Sequence, residues 1–181
     1  MTALRCTQKL LAALRVRPAT PAGASADKSA ARLGDWTLNL LHARPAKLVL
    51  AVSEHDRLGL LLEAAPFATL PQRFTAALFA HLLTLGVPPD IARRECDAMQ
   101  PLVVTATTGY DNRRSIQGNM TDYTFLAEWL LDERTPLAEI NARLARQISK
   151  PTGYAYPGEL ARARLGNATA PATNDSSLDK T

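Results

Sequence analysis

The spacing of hydrophobic positions switches along this chain between a strand period and a helix period, and the switches mark out the elements. Ala3-Leu4-Arg5-Cys6-Thr7 predicts a short strand. A short helix from Gln8 to Val16 follows, with Leu10, Leu11 and Leu14 at helical spacing and Thr7 as its cap. Trp36-Thr37-Leu38-Asn39-Leu40-Leu41 alternates and then turns apolar, and Arg44-Pro45-Ala46 breaks it. Lys47 to Val52 is a near-continuous apolar run, which predicts a central strand covered on both faces. The charged turn Ser53-Glu54-His55-Asp56-Arg57 leads into Leu58-Gly59-Leu60-Leu61-Leu62. Connections this short predict an antiparallel meander.

The second half reads as helical. Pro71 suits a first helical position, and Phe74, Leu78, Leu82 and Leu85 repeat up to Gly86 as the stop. Pro88-Pro89-Asp90 opens a shorter helix to about Met99, and Leu102-Val103-Val104-Thr105 is the last strand. A longer helix ending near Leu131 carries Ile116, Met120, Tyr123, Leu126 and Leu130 on one face. Thr135-Pro136 opens another, with Leu137, Ile140, Leu144 and Ile148 as its stripe, and a short helix over 159–165 follows. Trp36 and Trp129 are expected core anchors.

The expected fold class is α+β. An antiparallel-dominated sheet of about four or five strands carries helices packed on one side, with a helical C-terminal arm. The expected organisation is a single domain over residues 1–132 with a mobile, Ala/Pro/Gly/Ser-rich loop at 18–32, the arm at 133–165 and a disordered tail at 166–181.

With 181 residues, 46% of them hydrophobic, the chain can bury one core. No run approaches the roughly 18 apolar residues of a membrane span. Leu10 to Leu14 is too short for a signal peptide and is followed by Arg15 and Arg17. The expectation is a cytoplasmic protein without membrane contact. Cys6 and Cys96 are too far apart for a zinc ligand pair and read as small apolar residues, and His42, His55 and His81 lack metal spacing. His81 reads as a helix-surface or core histidine. No nucleophile elbow, P-loop or dinucleotide turn occurs. No metal, cofactor or catalytic residue is therefore assigned.

Charge adds one alternative. The net charge is +4, with Arg5, Lys9, Arg15 and Arg17 near one end and Arg134, Arg143, Arg146, Lys150, Arg162 and Arg164 near the other. Two basic ends on one face would attract phosphate. Arg143, Arg146 and Lys150 beside Tyr154 and Tyr156 form a candidate nucleic-acid surface, since tyrosines stack on bases. The plainer reading is solvated helix faces, with the tyrosines pinning the arm.

Chemistry is concentrated in Thr105 to Asp122. A strand end leading into a helix N-terminus presents free N–H groups and a favourable dipole to an anion. Thr107, Arg114, Ser115, Asn119 and Asp122 are the candidate ligand-binding residues there. Cys6 and Lys9 join them, because a cation-flanked helix start can lower a thiol pKa. Gly118 costs about 1 kcal/mol inside a helix relative to Ala. Either another backbone packs close to it, or the helix starts at Asn119 as cap with Asp122 three residues on.

Four stretches carry a family likeness: Leu4-Arg5-Cys6-Thr7-Gln8-Lys9-Leu10-Leu11, Leu33-Gly34-Asp35-Trp36-Thr37-Leu38-Asn39-Leu40, the apolar strand ending at Val52-Ser53, and Thr107 through Asp122, with Arg114-Ser115, Gly118, Met120 and Asp122 as the most specific part. In them the chain resembles a bacterial family known as a domain of unknown function, over roughly residues 3–130. The resemblance implies a bacterial, non-secreted α+β domain and no particular reaction.

The leading functional expectation is a non-catalytic binding or regulatory module, its partner a small anionic molecule or another protein. The alternatives are an enzyme acting on a phosphorylated or nucleic-acid substrate, and a nucleic-acid-binding protein using the basic ends.

Overall fold

The computed structural model describes residues 1–19, 29–42, 47–108 and 113–166. They form five strands and six α-helices: β1 Thr2–Cys6, α1 Gln8–Leu14, β2 Trp36–His42, β3 Lys47–Ser53, β4 Gly59–Glu63, α2 Leu70–Thr84, α3 Pro89–Ala98, β5 Leu102–Ala106, α4 Arg113–Asp132, α5 Leu137–Leu144 and α6 Pro157–Gly166. Most of the expected loop at 18–32 and all but the first residue of the expected tail lie outside the described residues.

The sheet order is β4-β3-β2-β1-β5. The meander is present: β2–β3 and β3–β4 pair antiparallel. The rest corrects the expected antiparallel dominance, because β1 pairs parallel with both β2 and β5 and the sheet is mixed. The cause is connectivity. Helix α1 stands between β1 and β2, and a helical crossover returns the chain in its original direction.

Helices cover both faces of the sheet, not one. From Leu48 to Ser53 in β3 and from Gly59 to Leu62 in β4 every residue is buried, so successive side chains on opposite faces all need cover. One face presents Leu4, Cys6, Trp36, Leu38, Val49, Ala51 and Leu60 to residues of α1, α2, α3 and α6. The other presents Leu48, Leu50, Val52 and Leu61 to Ile116, Met120, Tyr123, Ala127 and Leu130 of α4 and to Ile140 and Leu144 of α5. The C-terminal helices thus pack into the domain: α5 contributes to one core, and α6 contributes Ala161 and Leu165 to the other. Trp36 is fully buried and meets Phe74 edge-on at 5.2 Å, as a core anchor should. Trp129 is 53% exposed, which corrects its reading as a second anchor.

The turn between β3 and β4 ties the layers together. Ser53 and Leu58 close it: the Ser53 amide donates to the Leu58 carbonyl (3.0 Å), and the Leu58 amide to Ser53 Oγ (2.9 Å). The Glu54 amide donates to the Asp35 carbonyl at the entry to β2 (2.8 Å). The Tyr123 hydroxyl of α4 donates to the Arg57 carbonyl (2.7 Å). Arg164 of α6 donates through Nε to buried Asp56 (2.7 Å). Gly34, at φ +76°, lies so close that an added Cβ would stand 2.7 Å from the His55 ring. The loop before β2 is held from α3, where the buried Glu95 carboxylate accepts the amides of Arg32 (3.0 Å) and Leu33 (2.9 Å).

Both sheet edges are met by hydrogen-bonding groups. On β4, Asn141 of α5 accepts the Leu61 amide at 2.6 Å and donates to the Leu61 carbonyl at 3.0 Å. On β5, the Ala19 amide donates to the Val104 carbonyl at 2.9 Å.

Two stability changes follow. Gly59→Ala drives a methyl to 2.9 Å from the buried Tyr123 ring and 3.2 Å from Leu144 Cβ, so a loss of about 1–3 kcal/mol is expected from overpacking. Asn141→Ala leaves the Leu61 amide and carbonyl without partners, at a cost of about 2–3 kcal/mol. Urea midpoints of both variants against the parent check these values.

Candidate functional site

Cross-strand register builds the site. Thr105, Arg5, Thr37, Val52 and Gly59 face one another in sequence across five strands. Leu4 and Cys6 belong to the α1–α2 core, so alternation turns Arg5 and its row toward the face that α4 covers. That face is therefore divided. Its β3–β4 half is apolar, and its β5–β1–β2 half carries Thr105, Arg5, Thr37 and Asn39.

The polar half is largely enclosed. Thr37 and Thr105 are buried, and the Arg5 and Asp35 side chains are 17% and 16% exposed. Asp35 accepts the Arg5 guanidinium on one oxygen and the Ala3 amide (2.8 Å) on the other. Thr7 does not cap α1; its hydroxyl donates to Asn39 Oδ1 (3.0 Å). Among the described residues, Thr105 Oγ1 finds no hydrogen-bond partner.

Helix α4 runs unbroken from Arg113 through Gly118 to Asp132, so Asn119 is not its cap. Ser115, Asn119 and Asp122 stand at i, i+4 and i+7 and share one flank of the helix. Ser115 Oγ accepts the Arg57 guanidinium at 3.3 Å, and Arg57 also donates to the Glu54 carbonyl. Asn119 is buried, with Oδ1 lacking a partner among the described residues, and Asp122 is exposed.

Arg114 stands apart from this flank. One residue is about 100° of helix rotation, which carries Arg114 to the exposed side shared with Phe125 and Trp129. The guanidinium that reaches Ser115 belongs to Arg57. The sequence reading did not single Arg57 out, although it lies in a turn whose polar crowding was visible.

Cys6 does not join the site. Its side chain packs in the opposite core, and burial pushes the thiol up to about 12, so no activated thiolate forms there. Lys9 is exposed on α1, which packs on that same opposite face. Thr107, half-buried, directly follows β5; residues 109–112, which join it to α4, lie outside the described residues.

The C-terminal set is spread over a second surface. Arg143 pairs with Glu139 (2.7 Å), and the Arg146 guanidinium lies 5.4 Å over the Tyr156 ring. Lys150 and Tyr154 are exposed. A groove of about 340 Å³ runs here between α2, α5 and α6, lined by Leu85, Ala142, Arg146, Tyr156, Glu159 and Arg162 among others.

His42 and His55 are exposed, whereas His81 is buried. Its Nδ1 is 3.4 Å from Thr84 Oγ1, and Nε2 has no partner among the described residues. Burial pushes this imidazole down to about 4. Among the described residues no His, Cys, Asp and Glu cluster could hold a metal ion, and no helix is long and apolar enough to cross a membrane.

A protein-family model described as a domain of unknown function (DUF6933) matches residues 3–160. The comparison with curated proteins and that with solved structures each return no match.

His81 predicts acid sensitivity. Its folded pKa, about 4, lies below the ordinary 6.5. Its contribution to stability is therefore complete above pH 6.5. It is lost as pH falls toward 4, because the unfolded chain takes up a proton that the folded chain refuses. The loss approaches roughly 3 kcal/mol at the acid end. His81→Gln should flatten this dependence, read as urea midpoints at neutral pH and near the acid end.

Proposed function

The chain belongs to this domain-of-unknown-function family, and we propose that it is a non-catalytic binding module taking a small anionic ligand where β5 hands over to α4. The observation that carries this is a pair of buried polar atoms, Thr105 Oγ1 and Asn119 Oδ1, left without partners among the described residues. Such an atom costs about 1–3 kcal/mol, and folded proteins keep few of them without a compensating ligand, water or strain.

Three further observations support an anion. The N-terminus of a twenty-residue helix lies at this handover, and the first-turn N–H groups and positive dipole end of a helix favour an anion. Arg57 brings a guanidinium to Ser115 on the same helix flank as Asn119. Arg5, already paired with Asp35, places a second guanidinium on the enclosed sheet face. A threonine hydroxyl can donate and a carboxamide can do either. The ligand class we infer is a small molecule with one anionic group and at least one hydroxyl or amino donor.

The C-terminal surface supports nucleic-acid binding less well. Arg143 is engaged by Glu139, and Tyr156 already carries Arg146 over its ring.

The test is thermal melting with inorganic phosphate, nucleotides, sugar phosphates and hydroxycarboxylates. An anion of the inferred class should raise the melting point dose-dependently, with about 2.7 kcal/mol expected at a hundredfold excess over Kd. Thr105→Val and Asn119→Leu should each abolish the shift while leaving the unliganded protein as stable or more so, because each removes an unpaired buried atom. No shift with any anion, or a shift that survives both substitutions, ends this reading.

A further inference from the structure

Helix α4 has a second face, which shares only Asp122 with the flank of Ser115 and Asn119. Phe125 and Trp129, one helical turn apart, are 68% and 53% exposed. Together with Gly118, Asp122 and Asp132 they form a seam at spacings of four, three, four and three residues, all of them exposed. This is the 3.5-residue period of a helix that meets another helix. The seam lies opposite the stripe Ile116, Met120, Tyr123, Ala127 and Leu130 that the protein's own core consumes.

Gly118 belongs to this seam and needs a reason. Among the described residues outside its own helix backbone, nothing comes within 4 Å of a Cβ built on it. It therefore leaves a notch in the middle of the helix, where glycine is otherwise unfavourable. The charges of the exposed face are also divided. Arg114 stands at the first turn, Asp122 near the middle and Asp132 at the last, with Glu133 just past the helix end. Among the described residues no acid pairs with Arg114.

We infer that this face docks a second copy of the chain, α4 against α4 in antiparallel. In that arrangement one register satisfies all three features. Trp129 of each copy fills the Gly118 notch of the other. Arg114 of each meets Asp132 and Glu133 of the other. The two Phe125 rings meet near the two-fold axis. A parallel pairing sets Arg114, Asp122 and Asp132 each against its own copy, which like-charge repulsion disfavours; the antiparallel register leaves only the two Asp122 near one another, beside the axis. The contact is self-complementary, as a two-fold interface must be. One helix face of about 30 Å length is a small interface, so the dimer should be concentration-dependent and not obligate.

Sedimentation velocity on the full chain, from low micromolar to near-millimolar concentration, tests this. The parent should pass from monomer to dimer over that range. Gly118→Leu fills the notch and should weaken the dimer at least tenfold while melting no lower than the parent; Trp129→Ala should weaken it similarly. Arg114→Glu should also weaken it, and adding Asp132→Arg with Glu133→Arg should restore it. Oxidation of mixed Gly118→Cys and Trp129→Cys chains, whose native Cys6 and Cys96 are buried, should join Gly118→Cys to Trp129→Cys, and not Trp129→Cys to itself. A chain that stays monomeric throughout overturns the inference. So does a dimer indifferent to Gly118→Leu and Trp129→Ala. Monomers that float with phosphatidylcholine–phosphatidylglycerol vesicles in a Trp129-dependent way also overturn it, and give the face to a lipid surface.

Discussion

The five residues between β3 and β4 hold a position that most of the molecule needs. The turn accepts a hydroxyl from α4 at the Arg57 carbonyl, an ion pair from α6 at Asp56, and the approach of β2 through the Asp35 carbonyl and Gly34. Arg57 occupies the left-handed region at φ +58°, a conformation costing a non-glycine residue about 1–2 kcal/mol. It persists because neighbours on several elements fix it at once. The same constraint aims the Arg57 guanidinium at Ser115, so the turn that joins the layers also supplies a cation to the candidate site.

A divided sheet face then explains where a site can exist. Over β3 and β4 the α4–α5 layer closes against leucine and valine. Over β5, β1 and β2 the same sheet face carries threonine, arginine and asparagine, and hydrogen bonds must be found for each. Asp35 answers for Arg5, and Asn39 for Thr7. Thr105 and Asn119 are left without answers among the described residues. The sheet is uniform in geometry and uneven in chemistry, and the proposed site rests on that unevenness.

Much of this was written in local pattern. The unbroken apolar run at Leu48 to Val52 announced a strand covered twice, and a full two-sided reading of it would have placed helices on both faces. The alternation of Trp36, Leu38 and Leu40 against Thr37 and Asn39 put the two polar residues on one face. The family likeness quoted Arg114, Ser115 and Gly118 together, but helical phase separates them once α4 begins at Arg113: Ser115 turns inward, while Arg114 and Gly118 turn out. Trp129 was misread by residue type, although its phase relative to Ile116 and Tyr123 already set it outward. Pairings such as Arg5 with Thr105 were not legible. They join residues a hundred positions apart, and no local period encodes which strands become neighbours. Arg57 was hidden for the same reason, since Ser115 is distant in sequence.

The two ends of the sheet deserve a last consequence. Asn141 occupies the Leu61 amide and carbonyl with a carboxamide, and Ala19 takes a β5 carbonyl with a stray amide. At those points an incoming strand finds the backbone groups already taken. Growth by adding strand to strand, the ordinary route to fibrils, is thereby discouraged at both margins.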